Sequence, residues 1–207
     1  MRSLLAARFP EKIRRAEGCV VTGVGAIDDA LGGGLPAGLL TELVSELPGS
    51  GGQTVLAQLL QTTRKSRQRV ALIDGADGFA AEAVPPDALR HLVWVRARQP
   101  AEAFAAADIL VRDGNYAVVV LDLRGIAERV LLKTPVTLWH RLRHATENGP
   151  VAVLVQSTTP LVPAVPWRLV LRETVPLAAW RTERRRLADA LTVEIARGGA
   201  AREARSA

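Results

Sequence analysis

At 207 residues, with 48% hydrophobic and 23% charged side chains, the chain has the length and composition of one globular domain with a full core. No apolar run approaches the roughly 20 residues needed to cross a bilayer, and no apolar stretch with a small-residue cleavage site follows the N-terminal arginines, so neither a membrane span nor a secretory signal is expected. The single cysteine, Cys19, excludes an internal disulfide and a cysteine-based metal cage, and makes a reducing cytoplasm the expected location.

The formal charge is +6 and comes from arginine, since Lys12, Lys65 and Lys133 are the only lysines. Guanidinium groups suit phosphate recognition through their planar fork of donors, which points toward nucleic acid. Arginine richness equally fits a GC-rich genome and solvated helix faces. Residues 1–18 hold Arg14 and Arg15 and read as a short basic helix or arm. Residues 19–198 read as the core domain, and 199–207 as a disordered basic tail.

Within the core, residues 23–38 are glycine-rich with one helical turn around Ile27 to Leu31. Leu39 to Val44 is a first strand, and residues 53–66 a helix with Val55, Leu56, Leu59 and Leu60 at helical spacing. Buried strands follow at Arg69 to Asp74 and His91 to Arg96, with Pro85-Pro86 breaking any helix between them. Residues 101–113 suit a helix that Gly114 ends. Tyr116 to Leu121 is a continuous β-branched run closed by Asp122. Residues 135–147 are amphipathic, and Val151 to Gln156 is another buried strand. Two late strands, Arg168 to Arg172 and Leu191 to Ala196, have no predicted helix between them and suggest an antiparallel extension. Apolar strands alternating with helices predict an α/β domain with a mainly parallel twisted sheet covered on both faces.

The segment Leu47-Pro48-Gly49-Ser50-Gly51-Gly52-Gln53-Thr54 lies between a strand and a helix, where a phosphate-binding loop G-x-x-x-x-G-K-[ST] would lie. In such a loop the glycines turn backbone N–H groups inward, the lysine reaches the outer phosphates and the hydroxyl holds magnesium. Gly52 and Thr54 occupy their slots, but Gln53 replaces the lysine and Leu47 the first glycine. Gly49, Gly51, Gly52, Gln53 and Thr54 are therefore candidates for a degenerate nucleotide site. ATP hydrolysis is not expected, and weak ATP or magnesium binding stays open.

The order of these features resembles the RecA recombinase family. Thr22 to Gly38 follows the pattern T-G-x-x-x-[ILV]-D-x-x-L-G-G-G-L-P-x-G, and strands ending in Asp74, Asp122 and Gln156 come in the family's order. The resemblance covers roughly residues 20–200 and implies a RecA-like core. It implies that Asp122 holds magnesium through water, that Thr54 ligates it, and that Gln156 senses the γ-phosphate. The alternative is that Asp122 and Gln156 simply end buried strands. Ala76 stands where the family's catalytic glutamate is expected, and Asp77 is one place late.

Small lysine-less chains of this kind, with GGGLPAGLLTEL and an arginine-rich tail, resemble the ImuA family of translesion-synthesis accessory proteins. That resemblance implies DNA-damage induction within the SOS response and work beside a Y-family-like polymerase subunit and a replicative-type DNA polymerase. RecA contact or self-association is a further partner reading. The SulA-like cell-division inhibitors share a phosphate-loop-deficient RecA-like core and remain a competing reading, as does a RecA paralogue with a residual nucleotide switch.

Arg124, Arg129 and Lys133 follow the Asp122 strand, where RecA-like proteins carry their first DNA-binding loop. Arg181, Arg184, Arg185 and Arg186 form the densest positive run. Both groups are candidates for sequence-independent single-stranded DNA binding. The uncharged, proline-rich loop after Gln156 reads as a protein-contact loop, and Trp180 as a core or contact residue rather than a base-stacking one. His140 and His144 are four apart, but Arg141 stands where a zinc protease needs its glutamate, so no metal site is expected.

Overall fold

The computed structural model of the chain describes residues 18–147, 149–175 and 184–196. The N-terminal segment and the tail anticipated from the sequence, together with Arg181 and Trp180, lie outside them. In chain order the strands are β1 (Cys19–Val20), β2 (Leu35–Pro36), β3 (Leu40–Ser45), β4 (Val70–Asp74), β5 (Leu92–Arg96), β6 (Val118–Asp122), β7 (Ala152–Ser157), β8 (Trp167–Leu171) and β9 (Glu194–Ala196). The helices are α1 (Gly25–Leu31), α2 (Gly52–Lys65), α3 (Pro86–Leu89), α4 (Pro100–Asp113), α5 (Glu128–Leu131), α6 (Val136–Glu147) and α7 (Arg184–Asp189).

β1 and β2 pair as a small antiparallel ribbon, and the main sheet runs β5-β4-β6-β7-β3-β8-β9. Every pairing in it is parallel except β8 with β9. The alternation of side chains explains why the central strands read as unbroken apolar runs. Val118 and Val120 of β6 face a core shared with Leu56, Leu59 and Leu60 of α2. Val119 and Leu121 face the opposite core, shared with Phe104 of α4 and Trp139 of α6. Both faces are covered by helices, so both sets of residues must be apolar. Burying each such Val, Leu or Phe contributes about 1.5–3 kcal/mol. Phe104 and Trp139 meet edge to face at 4.6 Å, fixing α4 against α6.

The glycine-rich opening is a clasp ahead of β3. The Asp28 carboxylate accepts from the Thr22 hydroxyl at 2.7 Å and from the N–H groups of Thr22 and Gly23 at 2.9 and 3.0 Å. This ties α1 to the chain that precedes it.

Four expectations change. β5 is not a fully buried strand: it is a sheet edge, and Val93 is 41% exposed. Pro86 does not break a helix but starts α3 at its first position, where a missing N–H costs nothing. The late strands are separated by a short helix, α7, and β8 extends the sheet in parallel beside β3, leaving only β9 antiparallel. The loop after Gln156 is only partly displayed: Val162 and Val165 are buried, while Pro160 and Ala164 are exposed. Glu42, fully buried on β3, holds this loop: its carboxylate accepts the N–H groups of Leu161 at 2.6 Å and Val162 at 3.0 Å. The second oxygen of Glu42 takes the Arg168 guanidinium, which also donates to the Val162 carbonyl at 2.7 Å. The one buried acid of β3 is thus fully satisfied, as a buried charge must be.

Candidate nucleotide site

In an open parallel sheet, ligands bind beyond the carboxyl ends of the strands. Here strand register lines up three polar residues along that edge: Asp74 lies opposite Asp122, and Asp122 opposite Gln156. β3 delivers the chain to the same edge at Ser45, and the loop 46–51 leads from there into α2. Gly51 caps α2 with φ of 105°, left-handed backbone that disfavours any side chain, and Leu191 packs against its α-carbon. The first intrahelical bond is made by the Val55 N–H to the Gly51 carbonyl at 2.9 Å. The N–H groups before it face the open end of the helix, where its dipole favours an anion.

Above the loop lies a cavity of about 430 Å³, lined by Ser45, Ser50, Gln53, Thr54, Asp122 and Arg124 among others. Leu47, Pro48, Val175 and Leu187 are apolar members of its lining. Val175 is held there by its N–H bond to the Gly49 carbonyl at 3.1 Å. The hydroxyls of Ser45 and Ser50 are buried, and among the described residues neither has a hydrogen-bond partner.

The structure brings Gly49, Gly51, Gly52, Gln53, Thr54 and Asp122 to this cavity. It does not bring Gln156 to the lining. That side chain is fully buried and donates from Nε2 to the Gly52 carbonyl at 3.4 Å, bracing the helix start from behind. Gln53, in the lysine slot, turns aside to donate to the Gly78 carbonyl at 2.8 Å, linking the loop to the turn after β4. That turn is built on Asp74, whose carboxylate accepts the N–H groups of Gly78 and Phe79, each at 2.9 Å, that of Ala76 at 3.3 Å, and the Trp94 indole N–H at 3.3 Å. Ala76 lines the cavity without a carboxylate, and Asp77 points to Arg96 at 3.4 Å instead.

The largest departure concerns Arg124. Placed by sequence in a DNA-binding loop, it folds back into the cavity and grips Asp122 with Nε on one carboxylate oxygen at 2.8 Å and Nη2 on the other at 2.5 Å. The pair is largely buried, with the arginine side chain 15% exposed and the aspartate 6%. The guanidinium lies so close to Gly52 that any side chain there would collide with Nη1 and with the Ser45 hydroxyl. The arginine stands two residues after the aspartate, a spacing that allows a bidentate grip across the strand exit, and this was the available clue in the sequence. Arg129 and Lys133 remain exposed, as does Arg186; the side chains of Arg184 and Arg185 lie outside the described residues.

Among the described residues no cluster of three or more His, Cys, Asp or Glu side chains gathers to hold a metal, and no helix is long and apolar enough to cross a membrane. No family model matches the chain. It is 29% identical over 163 residues to the DNA repair and recombination protein RadB of Thermococcus kodakarensis, a match spanning 65% of this chain and 69% of that protein. The parallel sheet, the loop feeding α2 and this similarity together make the domain an α/β fold with a RecA-like core.

Proposed function

We propose that the chain is a non-hydrolysing RecA-like accessory protein of DNA repair, acting through protein contacts and weak binding to single-stranded DNA. The observation that carries the reading is the closure of the nucleotide site upon itself. Asp122 is occupied by Arg124, Gln53 by the Gly78 carbonyl, and position 76 offers no base. Water activation is without a group to perform it, and the loop lysine and free carboxylate on which phosphoryl transfer of this kind depends are both missing. The similarity to a DNA repair and recombination protein supports repair as the setting rather than inhibition of cell division.

Within repair, the finer reading is SOS-induced translesion synthesis in the manner of the ImuA family. Its partners there are a Y-family-like polymerase subunit and a replicative-type polymerase, with RecA or a second copy of the chain as a further contact. Two measurements test this. Purified protein should turn over ATP no faster than a blank, with or without single-stranded DNA; turnover abolished by Thr54→Ala would overturn the non-hydrolysing reading. Affinity capture from DNA-damaged cells should recover polymerase subunits, whereas recovery of a tubulin-like division protein would favour the inhibitor reading.

A further inference from the structure

Magnesium does not fit this site. Both oxygens of Asp122, the carboxylate expected to hold it, are engaged by the Arg124 guanidinium, and among the described residues no group of three or more His, Cys, Asp or Glu side chains stands there to replace it. A phosphate group does fit. The unbonded first turn of α2 offers N–H donors, and two buried hydroxyls, Ser45 and Ser50, stand at the cavity without partners. Arg124 uses Nε and Nη2 on Asp122 and leaves Nη1 beside Gly52, at the start of that helix.

We propose that Arg124 takes the place of both the loop lysine and the metal, so that the cavity binds the phosphates of a nucleotide without a divalent cation. The positive charge is delivered from the exit of β6 instead of from the loop. Guanidinium suits the task because its five donors can serve a carboxylate and a phosphate at once. Asp122 then acts as a counter-charge that orients Arg124 and weakens its hold on the anion. The apolar lining residues Leu47, Pro48, Val175 and Leu187 suit the base, and about 430 Å³ lies within the range of small-molecule sites.

This deepens the non-hydrolysing reading of the same cavity and rests on it, and the two fail separately: turnover overturns the first, metal-dependent binding the second. The test is calorimetric titration of the full chain with ATP, in EDTA and in magnesium, beside inorganic triphosphate. ATP should bind in EDTA at least as tightly as in magnesium, and more tightly than inorganic triphosphate. Arg124→Ala combined with Asp122→Asn, which leaves no unpaired buried charge, should weaken binding about tenfold to a hundredfold, the range for a charge-assisted hydrogen bond. Asp122→Asn alone frees the guanidinium and should tighten it. Binding that is absent, that needs magnesium, that survives the double change or that matches inorganic triphosphate would overturn the proposal.

Discussion

His91 shows how one side chain sets a pH dependence far from the cavity. It follows α3, and its Nε2 lies 2.9 Å from the Thr63 hydroxyl of α2, while its Nδ1 is buried without a partner among the described residues. Burial lowers its pKa below the ordinary imidazole value, and the Arg64 guanidinium lowers it further against a smaller opposing pull from Asp87. The folded state therefore favours neutral imidazole, and the unfolded chain binds the extra proton first as pH falls. Stability is fully present above the unfolded pKa of about 6.5 and declines as the pH drops below it toward the folded value. Urea midpoints measured from pH 8 to pH 5 should fall for the wild type, and His91→Gln should flatten the part of the curve between pH 7 and pH 5.5. Parallel curves for the two proteins would sink the assignment. Asp108 acts in the opposite range. Burial works to raise its pKa, but hydrogen bonds from Arg141 and Arg112 outweigh this and hold it below the usual carboxylate value. Its contribution is lost only in stronger acid, in both proteins alike.

At the scale of elements, α7 is the piece that packs against α2 beside the loop 46–51. Ala188 and Leu191 belong to the same core as Val55 and Leu56 of α2, and Leu191 lies on Gly51 itself. Leu191→Ala should therefore cost about 2–5 kcal/mol as a buried large-to-small change and speed amide hydrogen exchange in residues 49–54. Leu132→Ala, at a side chain 60% exposed, should stay within about 0.5 kcal/mol of wild type. Equal effects would show that α7 does not brace the loop. This element was the hardest to read in advance, because six residues with three arginines carry too short a period to announce a buried face. The central strands were plain for the opposite reason: β6 and β7 are covered on both faces, so their apolar runs are continuous. The site was legible in part. The glycines and Thr54 fall where loop spacing put them, since backbone geometry is written locally. The partnership of Gln53 with Gly78 is not local in that sense, and although Arg124 stands only two residues from Asp122, its place beside Gly52 is not local either. Both depend on where the exits of β4 and β6 meet the start of α2, which follows from strand order and register.

For the whole molecule the remaining question is where its positive charge acts. The net charge of +6 is not spread evenly over function: Arg168 is spent inside the sheet on Glu42, and Arg124 inside the cavity on Asp122. Removing Arg124 from the basic loop leaves Arg129 and Lys133 exposed after β6, with the arginine run of α7 as the denser group. Backbone phosphates are held by such exposed cations without regard to base sequence, and each one neutralised releases counterions. The protein should accordingly bind single-stranded DNA weakly, with a log–log salt slope of about −0.7 for each phosphate contacted. Arg184→Ala, Arg185→Ala and Arg186→Ala together should flatten that slope while the melting temperature holds. Arg124→Ala/Asp122→Asn should leave the slope unchanged, because the guanidinium faces the cavity and not the solvent. Fluorescence anisotropy of a labelled oligonucleotide across a salt series reads both. Binding insensitive to salt, or untouched by the triple change, would mean that the arginine run is a solvated face and that the partners of this domain are proteins alone.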